Sequence, residues 1–215
     1  MMPTNAPLLF SALLLAGGRS SRMGKDKALL PWKGRPLWQA QLEKLHALGP
    51  KYLMVACREE QGLHHHTDEI PAQTEWLFDP PGEELAGPLG AIDRGLAASR
   101  TPLVVLAVDL PAMTPEFLQE RLLAHPAGKG VFFTQGRFFE PLAGLYVPAM
   151  LPLIHQALLT AHYGVQGVIH HAVNAGVAEV LRLEDTDRAL FLNANTPDEW
   201  AQANPRAHAS NEAKG

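Results

Sequence analysis

The chain reads as an α/β protein built on a largely parallel sheet, and three observations point there. Short apolar runs alternate with longer amphipathic stretches along most of the sequence. At least one run, Leu103-Val-Val-Leu-Ala-Val108, is apolar at every position, as expected of a strand covered on both faces. A glycine-rich basic segment follows directly on the first run, at the strand end where such sheets receive ligands. The 215 residues suit one domain of ordinary size, spanning 1–202 with a polar tail over 203–215. A 47% hydrophobic and 19% charged composition, with 18 Gly and 18 Pro spread along the chain, excludes disordered and collagen-like classes.

Each element follows in order. Leu8 to Ala16 reads as a buried strand. Leu37, Trp38, Gln41, Leu42, Leu45 and Leu48 fall on one helical stripe, and Gly49-Pro50 ends that helix. Strands are expected over Tyr52 to Cys57, Glu75 to Phe78 and Leu103 to Val108, with Gly87-Pro88-Leu89-Gly90 opening a small-residue helix over Ala91 to Ser99. Thr114-Pro115-Glu116 supplies a cap, a first-turn proline and an acidic residue for a helix to about Ala124. Further strands are expected over Val131 to Gln135, Ala143 to Val147 and Glu179 to Leu183, and helices over Leu151 to Thr160 and Val165 to Val173. Uniformly apolar strands do not disclose their order in the sheet.

Eighteen Lys and Arg against 22 Asp and Glu leave a net charge of −4, so no global positive field draws the chain to nucleic acid or an anionic membrane. Any polyanion must be small and met locally. The single cysteine, Cys57, cannot close an internal disulfide, which suits a reducing, cytoplasmic location. The apolar run Pro7 to Ala16 has no basic residue ahead of it and is far shorter than the ~20 residues that span a bilayer, so it is not read as a leader or an anchor.

The densest chemical signal is Leu15-Ala-Gly-Gly-Arg-Ser-Ser-Arg-Met-Gly-Lys-Asp-Lys27. Glycines let successive N–H groups converge on an anion, the hydroxyls of Ser20 and Ser21 add donors, and Arg19, Arg22, Lys25 and Lys27 supply positive charge. A triphosphate is the natural guest; a basic loop that only solvates itself is the plainer alternative. Five residues separate Gly18 from Gly24, where a Walker A loop needs four, and Asp26 takes the place of its hydroxyl residue. The spacing also lacks the G-x-G-x-x-G of dinucleotide folds.

The string LAGGRSSRMGKDKALLPWKGRPL resembles the opening of the molybdenum cofactor guanylyltransferases, and the likeness continues through FDPPGEELAGPLGAI, VVLAVDLPAM, EPLAGLY and FLNANTPDEW. The resemblance implies a three-layer, Rossmann-like nucleotide-diphospho-sugar transferase fold with a mostly parallel central sheet. It implies transfer of GMP from GTP to the phosphate of molybdopterin carrying molybdenum, with release of pyrophosphate and no covalent enzyme intermediate. Mg²⁺ is the implied cofactor, and contacts with cofactor-synthesis or acceptor proteins are the implied protein partnerships.

By the same resemblance, backbone groups of Leu15, Ala16 and Gly17 meet guanine while Gly18, Ser20 and Ser21 wrap phosphate. Lys27 and Arg22 bind and neutralise the phosphates, and Asp109 holds the metal, or bonds its own backbone in an Asp-Leu-Pro turn. Asp79 accepts from guanine or ribose, or closes a turn before Pro80. Gly87 and Pro88 border the nucleotide, and Asn193 and Asn195 either grip the pterin or serve as structural hydrogen-bonding residues. Glu140-Pro141-Leu142 lines the acceptor side or forms a strand-entry turn. Asp26 orders the loop rather than touching GTP. Two departures stand out: GPLGAI where the family more often has GPLAG, and Val55-Ala-Cys-Arg58 where some members carry guanine-contacting asparagines. His64-His65-His66 and His170-His171 are read as solvated, Cys57 as buried, and the four tryptophans as packing residues. A cytidylyltransferase, another small NTP transferase such as a sugar-1-phosphate transferase, and a non-catalytic GTP-binding regulator remain alternatives.

Overall fold

The computed structural model describes residues 8–18, 26–66, 70–80, 86–125, 128–193 and 200. Ser20, Ser21, Arg22, Asn195 and the polar tail therefore lie outside the described residues. The first strand, β1 (Ser11–Leu15), is buried at every position. A short 3-10 turn (Lys27–Leu29) and a hairpin of two-residue strands, β2 (Pro31–Trp32) and β3 (Arg35–Pro36), lead into α1 (Leu37–His46). Then come β4 (Leu53–Cys57), β5 (Thr74–Phe78), α2 (Gly87–Ser99) and β6 (Leu103–Ala107). The chain continues through α3 (Pro115–Leu118), β7 (Gly130–Gln135), β8 (Phe138–Tyr146), α4 (Leu151–Leu159), α5 (Val165–Asn174) and β9 (Ala178–Arg182).

Seven strands form one sheet in the order β5-β4-β1-β6-β8-β7-β9. All its pairings are parallel except those of β8, which runs antiparallel to both β6 and β7. Successive β1 residues feed opposite faces, as a period of two requires: Leu14 belongs to the core that includes Leu42 of α1 and Phe117 of α3, whereas Leu13 belongs to the core that includes Ile92 of α2, Ile154 of α4 and Ile169 of α5. The result is the three-layer α/β architecture the sequence implies. No helix among the described residues is long and apolar enough to cross a membrane.

Three elements differ from expectation. The β2–β3 hairpin turns on Lys33 and Gly34, both at positive φ, a two-residue turn whose strands are too short to show any alternation. β8 begins at Phe138 rather than Ala143, because its first half pairs with β7 alone; the register shifts past Pro141, which cannot donate to the ladder. The helix capped by Thr114, whose hydroxyl accepts from Phe117 N at 3.2 Å, widens into a π turn over Gln119–Leu123. His64 also departs from the solvated reading: it packs edge-on to Trp76 and Phe78, while His65, His66, His170 and His171 are exposed. Cys57 is buried, and burial pushes its thiol up to about 12.

Candidate active site

The chain steps from β1 outward through β4 to β5, then returns to place β6 on the other flank of β1. Such a reversal leaves a crevice at the carboxyl ends of the two diverging strands. Here Ala16, Gly17 and Gly18 leave β1, and Val108 and Asp109 leave β6. The crevice has two lobes, of about 250 Å³ and 350 Å³, sharing Leu15, Gly18 and Pro88 as walls.

The smaller lobe carries Asp26, Lys27 and Asp109, with Leu142 of β8 on its far side. Lys27 Nζ stands 3.8 Å from Asp109 Oδ2. Burial pushes the Asp109 carboxyl above its ordinary value, opposed by the Lys27 ammonium and a backbone hydrogen bond. The loop bearing Asp109 is gripped from behind by α1: fully buried Gln41 donates to Ala107 O at 3.3 Å and Leu110 O at 2.8 Å. Lys44 extends the brace, donating to Pro111 O at 2.8 Å and Gln41 Oε1 at 2.6 Å. Burial and the neighbouring Lys33 charge bring the Lys44 ammonium down to about 8.

The larger lobe is bordered by Gly17, Ala56, Arg58, Asp79, Gly87 and Ala91. Asp79 Oδ1 accepts from Arg94 Nη2 at 2.8 Å, while Oδ2 lies 3.2 Å from where a Cβ on Gly17 would stand. Gly87, with φ of +50°, starts α2 in a conformation that other residues adopt at a cost. The shifted GPLG element now has a structural account. Gly90 faces Ala86 within the helix, where a Cβ would approach to 2.9 Å, and Ala91 takes the position on the lobe wall.

The backbone expected to meet a base is largely engaged within the chain. Leu15 O accepts from Val108 N at 3.0 Å, Ala16 N donates to Ala56 O at 2.8 Å, Ala16 O accepts from Gln61 Nε2 at 3.0 Å, and Gly17 O accepts from Arg58 Nη1. Of the residues the sequence singles out, Leu15, Ala16, Gly17, Gly18, Lys27, Asp79, Gly87, Pro88 and Asp109 line the crevice. Asn193 is exposed beyond the 3-10 turn Asp185–Phe191 and is not among the described residues lining either lobe. The Glu140 carboxyl, half-buried in β8, is pushed up by burial. Sequence reasoning missed Gln41, Lys44, Gln61 and Arg94 as site-supporting residues and gave Arg58 no role. Two signals were present: Gln41 is a polar residue on an otherwise apolar stripe, and Arg58 is the first residue beyond a parallel strand.

Residues 12–175 match the model of the MobA-like NTP transferase domain. A molybdenum cofactor guanylyltransferase of Ectopseudomonas mendocina is 31% identical, across 97% of this chain and 98% of that protein. A probable molybdenum cofactor guanylyltransferase of Synechococcus elongatus is 34% identical, across 89% and 96%. The fold is also that of molybdopterin-guanine dinucleotide biosynthesis protein A from Archaeoglobus fulgidus, with a TM-score of 0.73 at 21% identity over 93% of this chain and 100% of the other. A 4-diphosphocytidyl-2C-methyl-D-erythritol synthase from Anaerococcus prevotii shares the fold at a TM-score of 0.69 and 11% identity, over 94% and 96%.

Proposed function

This chain belongs to the MobA-like NTP transferase family, and from that premise we propose that it transfers GMP from GTP to the phosphate of molybdopterin, forming the guanine dinucleotide cofactor. The observation that carries the reading is the two-lobed crevice at the strand reversal, with Lys27 facing Asp109 in one lobe and Asp79 bordering the other. The smaller lobe takes the phosphates and the larger takes the nucleoside.

An oxygen of the pterin phosphate attacks the α-phosphorus of GTP, the bond from that phosphorus to the β-bridging oxygen breaks, and the electron pair leaves with pyrophosphate. Lys27 offsets charge that grows on the leaving group, a compact ammonium being able to follow it from ground state to transition state. Arg22 adds a second cation by family pattern. Asp79 accepts from the base or ribose, and Leu142 with Glu140 borders the acceptor.

Among the described residues no group of three or more His, Cys, Asp or Glu gathers to hold a metal. A half-buried carboxylate such as Asp109 suits Mg²⁺, which commonly takes one or two carboxylates and completes its shell with substrate phosphates and water. Asp109 is thus proposed as the protein ligand, and bound Mg²⁺ would supply electrostatic stabilisation of phosphate charge. We place the reaction in the cytoplasm, which the buried, free Cys57 supports, with transient hand-over to cofactor-synthesis or acceptor proteins.

The test is incubation of the purified protein with molybdopterin, Mg²⁺ and each nucleoside triphosphate in turn, following pyrophosphate and the pterin product. GTP is expected to give both. Preferential turnover of CTP would make the chain a cytidylyltransferase, and tight GTP binding without pyrophosphate release would make it a regulator.

A further inference from the structure

A carboxylate in the wall of an anion pocket repels its ligand unless its charge is met by the protein. Asp26 stands in that position, beside Lys27 in the smaller lobe. Both its oxygens are engaged. Oδ1 accepts from Ala28 N at 3.0 Å, capping the turn that carries Lys27. Oδ2 accepts from Gln61 Nε2 at 2.7 Å and from Arg58 Nη2 at 3.3 Å.

The same two side chains reach back to the exit of β1. Gln61 Nε2 donates to Ala16 O at 3.0 Å, and Arg58 Nη1 donates to Gly17 O. Gln61 is itself fixed, its Oε1 accepting from Arg58 N at 2.8 Å. One four-residue segment after β4 therefore ties the β1 exit to the Lys27 turn. The Arg58 and Asp26 side chains are only 18% and 19% exposed, so their pairing is weakly screened by solvent.

We propose that Arg58 and Gln61 are positioning residues: they hold the β1 exit and the Lys27 turn in register for a triphosphate and mask the Asp26 charge from it. The inference rests on the nucleotidyltransferase reading of the crevice but assigns roles to residues outside that reaction. The latch acts on the phosphate grip, which inorganic triphosphate reads without the base. Its loss therefore weakens binding of GTP and of inorganic triphosphate alike, and raises KM more than it lowers kcat.

Calorimetry of the full chain with GTP and with inorganic tripolyphosphate, each with Mg²⁺, tests this. Arg58→Met keeps the side-chain stem but removes the charge and is expected to weaken both ligands roughly tenfold. Arg58→Lys restores the charge without the fork and should fall between. Adding Asp26→Asn, which retains a cap for Ala28, removes the exposed charge, so the double variant should bind more tightly than Arg58→Met alone. Should Arg58→Met not fold, Gln61→Leu with and without Asp26→Asn makes the same comparison. A folded Arg58→Met or Gln61→Leu that binds both ligands like the wild type, or a double variant with no recovery, overturns the latch while leaving the guanylyltransferase reading intact. Wild-type protein that binds tripolyphosphate with the expected variant losses, yet favours another nucleotide over GTP, overturns the guanine assignment and keeps the latch. Wild-type protein that binds neither ligand overturns both.

Discussion

Asp109 sits in conflict between burial, which disfavours its charge, and Lys27 at 3.8 Å, which favours it. Burial dominates, so the folded state holds this carboxyl above its ordinary value. A group whose folded pKa is raised contributes stability fully below its unfolded pKa and loses it as pH rises through the folded value. Asp109→Asn should therefore gain thermal stability over the wild type as pH rises past the ordinary carboxylate range, with the gap closing in acid, as melting curves across pH will show. The same variant should lower turnover by roughly 100-fold, because it removes the carboxylate that organises phosphate charge. Lys27→Ala should lose turnover on a similar scale, with kcat affected more than KM if the ammonium follows the leaving charge. A third expectation concerns Gly17: a Cβ there would lie 3.2 Å from Asp79 Oδ2, tighter than neighbours usually tolerate. Gly17→Ala should push Asp79 aside and raise KM for the nucleotide, measurable by steady-state kinetics beside a nearly unchanged urea midpoint.

At the scale of elements, α1 does more than cover the sheet. Gln41 on its buried face donates to two carbonyls of the loop that carries Asp109, and Lys44 closes the brace on Pro111. Both carbonyls also accept a backbone N–H, from Leu110 and Met113 respectively, so Gln41→Leu removes only the side-chain donor from each, a loss of about 1–3 kcal/mol for the two bonds together by urea titration, and should reduce turnover as the loop drifts. Lys44 titrates in the opposite sense to Asp109. Its folded value of about 8 lies below the unfolded one, so its contribution to stability is present above the unfolded value and lost as pH falls through about 8. Relative to Lys44→Met, wild-type stability should thus improve as pH is raised from about 8 toward the ordinary lysine value, a trend that paired urea melts can follow. The strands and helices with long apolar patterns were legible because periodicity marks them. The β2–β3 hairpin was not, since two-residue strands have no period, and the first half of β8 was hidden by Glu140-Pro141, a charge and a missing donor inside a strand.

At the scale of the molecule, the sheet order determines the site. β1 lies between β4 and β6, and that order brings Lys27, Asp79 and Asp109 around one crevice. The apolar runs could not disclose it, because a strand buried on both faces carries the same residues wherever it lies in a parallel sheet. Lys27 and Asp109 were legible because each stands in a dense motif or at a strand exit. Gln41, Gln61 and Arg94 were not, because each acts through a partner distant in sequence that only the fold supplies. The account as a whole holds that this crevice positions the α-phosphorus of GTP for attack by a pterin phosphate. Parallel reactions with GTP labelled at the α- or the γ-phosphorus, in the presence of molybdopterin and Mg²⁺, test it most directly. The α-label should pass to the pterin product and the γ-label to pyrophosphate, in equal amounts. Label from the γ-position on the pterin, or α-label left on free nucleotide while pyrophosphate is absent, would contradict it.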